Sequence, residues 1–149
     1  MPMKTVVLLS CCKKKSFSRT CAKDLYIGDS FKKSLVYALR ITGEENIFIL
    51  SAKYGVVELN DEIEPYDETL VNKSVKERRQ WSEKVLKQLQ LKGLDLTKDH
   101  FIILAGNKYI DYLIAGRKKP QLELNQIEHA ELPLEGLPFG KRLQKLKNI

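Results

Sequence analysis

The chain has 149 residues, 43% of them hydrophobic and 30% charged, which suits a single domain, residues 1–149, and excludes a disordered or low-complexity chain. Its 26 Lys and Arg against 19 Asp and Glu give a formal charge of +7, which favours anionic partners, nucleotide or nucleic acid. The apolar run Val6–Leu9 is far short of the roughly 20 residues of a membrane span, and its flanks do not make a signal peptide, so a cytoplasmic protein with no membrane partner is expected.

In chain order, residues 4–10 (KTVVLLS) read as a short, β-branched strand apolar on both faces. Residues 30–43 follow as an amphipathic helix with Phe31, Leu35, Ala38 and Leu39 on one stripe and Gly43 as its stop. Just before it, Tyr26 is a candidate to lie over a rim with Gly28 allowing close approach, or else Tyr26 and Phe31 are core aromatics with Asp29 or Ser30 as the cap. A second buried strand is expected at 46–51 (NIFILS), then a long loop from Val56 to Lys73. Ser74 and Glu77 have capping-box spacing, and behind them Trp81, Val85, Leu86 and Leu89 form the stripe of a long helix ending near Gly93. A third strand (100–105, HFIILA), a helix from Tyr109 to about Ala115, an edge strand within Glu123–Leu132 and a terminal helix over 139–146 complete the pattern. Alternating strands and helices with continuously apolar strands predict a three-layer α/β/α sandwich with a mainly parallel, Rossmann-like sheet.

Open parallel sheets hold ligands beyond the carboxyl ends of their strands. Those ends carry Ser10 to Lys15 (SCCKKK), Ser51 to Gly55 (SAKYG) and Ala105 to Tyr109 (AGNKY), so hydroxyl, thiol, lysine and tyrosine groups are expected on one rim. Three cysteines, two of them adjacent, make no paired framework and fit a reducing compartment. A thiol beside lysines is a better nucleophile, which marks Cys11 or Cys12; the plain alternative is a small packing residue. Lys53, just past an apolar strand, is expected to be partly desolvated, or else a snorkelling surface lysine. Tyr66 and Asp67 lie in a polar, aromatic loop and are candidates for substrate contact.

Other motifs fail. Residues 136–142 (GLPFGKR) have glycines one residue too close for a phosphate loop and put Arg142 where a hydroxyl is needed. Two histidines and no Cys-x-x-Cys make zinc an improbable requirement, and no metal or cofactor is called for. A serine-triad elbow is missing.

The segments SCCKKK (10–15), DLYIGDSF (24–31), ILSAKYGVVELNDEIEPYDETL (49–70), LAGNKYIDYL (104–113) and LEGLPFGKRLQKL (134–146) together resemble, in order, an uncharacterised family of short bacterial and phage α/β proteins. The resemblance implies site residues by position: Ser10, Cys11, Lys13 and Lys15; Asp24, Tyr26, Gly28 and Phe31; Ser51, Lys53, Tyr54 and Gly55; Tyr66, Asp67 and Thr69; Gly106 and Tyr109; Gly136, Gly140 and Arg142. It favours Cys11 over Cys12, because Cys12 stands where the family has Gly or Ser. The family is distantly similar to the uracil-DNA-glycosylase-like fold and to the core of archaeosine synthase, which implies chemistry on a nucleobase, although the chain lacks the Lys-Pro-Tyr and following Ser and His of the archaeosine motif.

The expectation is therefore an enzyme acting on a nucleobase, nucleotide or nucleic acid. Cys11 would be its nucleophile, Lys13 and Lys53 charge stabilisers or amine donors, Asp67 a further catalytic group, and Tyr26 and Tyr66 would stack the base. Its rival is a non-catalytic nucleotide- or nucleic-acid-binding module built on the same rim.

Overall fold

The computed structural model describes residues 3–11 and 15–135. Lys13, Gly136, Gly140, Arg142 and the terminal helix expected over 139–146 lie outside the described residues.

The chain is mixed α/β with a mostly parallel five-stranded sheet. Strand β1 (Thr5–Ser10) leads to the two-residue β2 (Thr20–Cys21), the single-turn α1 (Ala22–Leu25) and α2 (Asp29–Ile41). Then come β3 (Ile47–Ser51), β4 (Gly55–Glu58), β5 (Glu62–Ile63), the long α3 (Val75–Leu91), β6 (His100–Leu104), the single-turn α4 (Asn107–Ile110) and β7 (Ala130–Glu131). The sheet order is β4-β3-β1-β6-β7, with β1 parallel to both β3 and β6, β7 parallel to β6, and β4 antiparallel on the edge. Val6 to Leu9 at the centre are fully buried, as are all five residues of β3, so both faces of the middle of the sheet are covered. That is the physical content of continuous apolarity in these strands: alternation would have left one face wet.

Four expectations are corrected. The segment after Gly55 is not all loop: Val56 and Val57 pair with β3 as an antiparallel edge strand, and β5 pairs with β2 in a separate two-stranded ribbon. The stripe of α2 is Phe31, Ser34, Tyr37 and Ala38, while Leu39 is exposed, so the helix is turned from the face its leucines suggested. Its N-cap is Gly28, without a side-chain cap bond, rather than Asp29 or Ser30. The helix after β6 closes after one turn, Asn107–Ile110. By contrast, the capping box of α3 forms in full: the Glu77 amide donates to Ser74 Oγ at 3.2 Å and the Ser74 amide to Glu77 Oε1 at 3.3 Å.

The chain passes from β1 to β3 on one side and returns across β1 to reach β6 on the other. The chain thus reverses direction between β1 and β6, the place in open α/β sheets beyond whose carboxyl ends ligands are generally held. At the other end of these strands the buried Asp99 carboxylate accepts from the Lys4 amide (3.0 Å) and the Asp95 amide (2.8 Å), which pins the starts of β1 and β6 together. No helix among the described residues is long and apolar enough to cross a membrane.

Candidate active site at the ends of the parallel strands

Cys11 continues the β1–β3 ladder by one residue, its amide donating to the Leu50 carbonyl at 3.1 Å, so the sheet itself fixes the thiol's position. Its sulfur is half-buried and lies 3.4 Å from the Tyr109 hydroxyl, which comes from the turn after β6. Either the thiol or the hydroxyl can donate in this contact. Thr69 and Leu70 stand beside Tyr109, and Thr69 Oγ accepts the Val71 amide at 3.3 Å. Burial first, then negative charge on the Cys11 sulfur and the hydrogen bond to it, push the Tyr109 hydroxyl up to about 12, so it keeps its proton at any physiological pH.

Beside this pair runs a chain of buried hydroxyls. Ser51, fully buried at the end of β3, accepts the Lys53 amide (3.2 Å) and the Tyr54 amide (3.0 Å) on its Oγ and donates to the Tyr66 hydroxyl at 2.7 Å. Tyr66 shares a 2.6 Å hydrogen bond with the Tyr26 hydroxyl. Burial, followed by the charge of a Cys11 thiolate nearby, holds the Tyr66 hydroxyl well above its usual value. The rings make one aromatic row, Tyr54 edge-on to Tyr66 (5.5 Å), Tyr66 edge-on to Tyr26 (6.4 Å) and Tyr26 against Phe31 (5.1 Å). Lys15, bridged through its backbone to Tyr26, holds its ammonium 4.4 Å from the centre of the Tyr66 ring.

The structure therefore brings together Cys11, Lys15, Tyr26, Phe31, Ser51, Tyr54, Tyr66, Thr69 and Tyr109. Several details differ from what was expected. Tyr26 is 1% exposed and Tyr66 7%, so neither offers an open ring face to a base; their hydroxyls and edges build the wall instead. Lys53 is exposed rather than desolvated, its ammonium 5.3 Å from the Tyr54 ring centre. Among the described residues, no hydrogen bond or ion pair ties the exposed Asp24 or Asp67 to the cluster. Ser10 turns its hydroxyl to the Cys11 carbonyl at 3.1 Å. Gly28 caps α2, and Gly106 caps α4, where an added Cβ would meet nothing within 4 Å. Gly55 has a structural duty: φ is +80° and a Cβ there would sit 2.2 Å from Gln88 Oε1, which receives the Val56 amide at 2.8 Å.

Three contributors went unread in the sequence. Trp81, taken only as core, donates its indole N–H to the Ser51 carbonyl at 2.8 Å and stands edge-on to Tyr109 at 5.5 Å. Gln88 lies seven residues on, two turns along the same face of α3, and holds the β3–β4 turn through Tyr54 and Val56. A glutamine beside the apolar stripe was the available signal. Arg78, one turn before Trp81, is buried and faces Asp111 at 3.5 Å, fastening α3 to the segment that carries Tyr109. The cavity of about 380 Å³ lined by Glu44, Glu45, Glu58, Leu59, Asn60 and Asp61 lies at the opposite end of β3 from Ser51 and is no part of this cluster.

Searches of curated proteins and of solved structures found no significant match. The family signal is of another kind, because one profile spans nearly every element described above: matched over residues 6–148, the chain belongs to the family of unknown function DUF6884.

Proposed function

We propose that this protein is an enzyme acting on a nucleobase, in a nucleotide or a nucleic acid, by glycosidic transfer or base modification, with Cys11 as nucleophile. The observation that carries the reading is the Cys11–Tyr109 contact beyond the carboxyl ends of β1 and β6: a thiol fixed by the sheet, half-exposed, with a tyrosine hydroxyl 3.4 Å from its sulfur. A thiol serving only as core filler has no need of a polar partner.

The sulfur, its proton passed to water, adds to an electron-poor ring carbon. The C–S bond forms as a ring π pair moves to the neighbouring nitrogen, which takes a proton from water; after modification of the saturated ring the pair returns and the thiolate leaves. Lys53 at the rim stabilises the developing negative charge or supplies an amine, and Lys13 shares that role. Tyr26, Ser51 and Tyr66 act as positioning residues by fixing the wall.

We extend the same reading to architecture: the strand order, with crossovers of the usual right hand, supports a proposed three-layer, Rossmann-like arrangement with α2 and α3 on opposite faces of the sheet, as in uracil-DNA-glycosylase-like proteins.

The test is nucleoside analysis by mass spectrometry of RNA, DNA and mononucleotides incubated with the protein. Cys11→Ala should abolish any change in nucleoside composition at unaltered circular dichroism and Tm. Native Cys11 should also be alkylated by iodoacetamide readily; a thiol as inert as a core cysteine would sink the reading. Unchanged turnover in Cys11→Ala would do the same, and binding that survives Cys11→Ala but weakens with salt in Lys53→Ala would make the protein a binding module.

A further inference from the structure

Resting on that reading, we propose that the substrate is a single-stranded nucleic-acid chain rather than a free nucleotide, and that Phe17 stacks on a base neighbouring the one at the Cys11 rim.

Phe17 is wholly exposed, at 105% of its reference area, in a chain whose other phenylalanines among the described residues are buried. It stands on a turn anchored at both ends. The Ser16 amide donates to the Leu25 carbonyl at 2.8 Å, and the Ser16 hydroxyl donates to the Ser18 carbonyl at 3.1 Å. On the near side, Lys15 bridges to Tyr26; on the far side, Thr20–Cys21 pairs with Glu62–Ile63. Arg19 lies 3.9 Å from Glu62 and 3.7 Å from Glu64. A side chain held out on an anchored turn is presented, whereas one on a fraying end is merely loose.

Its position ties it to the site. One residue, Ser16, separates it from Lys15, at most about 7 Å of chain, and the Lys15 ammonium lies over Tyr66. A base at the Cys11 rim leaves Phe17 one step outside, where a mononucleotide has no second base to offer. The surrounding sequence, KKKSFSR from residue 13 to 19, sets an aromatic among cations, the pairing that single-stranded chains recognise through phosphate charge and a base face. Ser16 and Ser18 flank Phe17 with polar groups, so it is a lone aromatic tip and not an apolar patch of the kind that inserts into a lipid surface.

The experiment is fluorescence anisotropy with labelled single-stranded RNA and DNA of about 12 nucleotides, with mononucleotides as competitors. Expected are tighter binding of one or both oligonucleotides than of any mononucleotide, a loss of about tenfold in Phe17→Ala, and retention in Phe17→Trp. Mononucleotide binding should be the same in Phe17→Ala as in the unaltered protein. Oligonucleotide binding within about twofold of the unaltered protein in Phe17→Ala overturns the inference. Mononucleotides that bind as tightly as the oligonucleotides overturn it while leaving the base-directed chemistry standing, and binding of neither removes both. A Phe17→Ala effect confined to anionic lipid vesicles overturns it in favour of a membrane contact.

Discussion

Tyr66→Phe isolates the buried hydroxyl chain. The ring remains, so the volume, the edge contact with Tyr54 and the Lys15 ammonium above it are kept, and only one oxygen is lost. That oxygen is the acceptor for Ser51 and a partner of Tyr26, residues 0% and 1% exposed, so no solvent replaces it. Leaving the Ser51 hydrogen without an acceptor costs about 1–3 kcal/mol; Tyr26 has a further interaction and adds less, so a loss of about 2 kcal/mol is expected. For a chain of this size that lowers Tm by about 4–8 °C. Urea melts should show a lower midpoint at unchanged slope. In a double-mutant cycle with Ser51→Ala, the pair should cost about 1 kcal/mol less than the sum of the singles, because once either partner is gone the bond is already lost. A Tm within about 1 °C of the unaltered protein, or strict additivity, would refute the assigned chain.

The raised tyrosines make stability fall at high pH. An unfolded tyrosine ionises near 10 and Tyr109 near 12, so above pH 10 the unfolded chain holds fewer protons and unfolding is favoured. Stability is full below pH 10 and drops by about 1.4 kcal/mol per unit for each such tyrosine towards pH 12, with Tyr66 acting in the same direction. Urea melts at pH 9 and pH 11, together with tyrosinate absorbance of native and denatured protein, check this; equal phenolate in the two states at pH 11 would count against it. Gly55 and Gly93 have nearly the same backbone, φ +80° and +85°, but only Gly55 is crowded, by Gln88. Gly93→Ala should cost about 1 kcal/mol and Gly55→Ala at least about 1 kcal/mol more, read by thermal melts; equal costs would remove Gln88 from the account.

The parallel strands and α3 could be read in advance because their signals are local: unbroken β-branched runs and a serine and glutamate at capping distance. Gly55–Glu58 was lost because an edge strand of four residues beside a glycine looks like loop until its partner, β3, is in place. The face of α2 was misjudged because Leu35 and Leu39 satisfy the helical period as well as Ser34 and Tyr37 do, and only the neighbouring strand decides between them. At the site, residue types at the strand ends pointed to Cys11 and Tyr109, which meet, and to Ser51, which bonds to Tyr66. What one sequence did not supply was the placing of Thr69 and Leu70 beside Tyr109, about 40 positions away. The pairing of the Ser51 carbonyl with Trp81 was hidden for the same reason.

Ser51 joins three parts of the molecule at one residue: its carbonyl meets Trp81 of α3, its hydroxyl caps the turn into β4 and reaches Tyr66 in the following loop. Variation there, or at Tyr26 or Tyr66, disturbs the scaffold before it alters recognition. Phe17, Asp67 and Glu68 are exposed and carry no such obligation, so, on the function proposed, adaptation to a different target can proceed through these three side chains while the framework behind them stays intact.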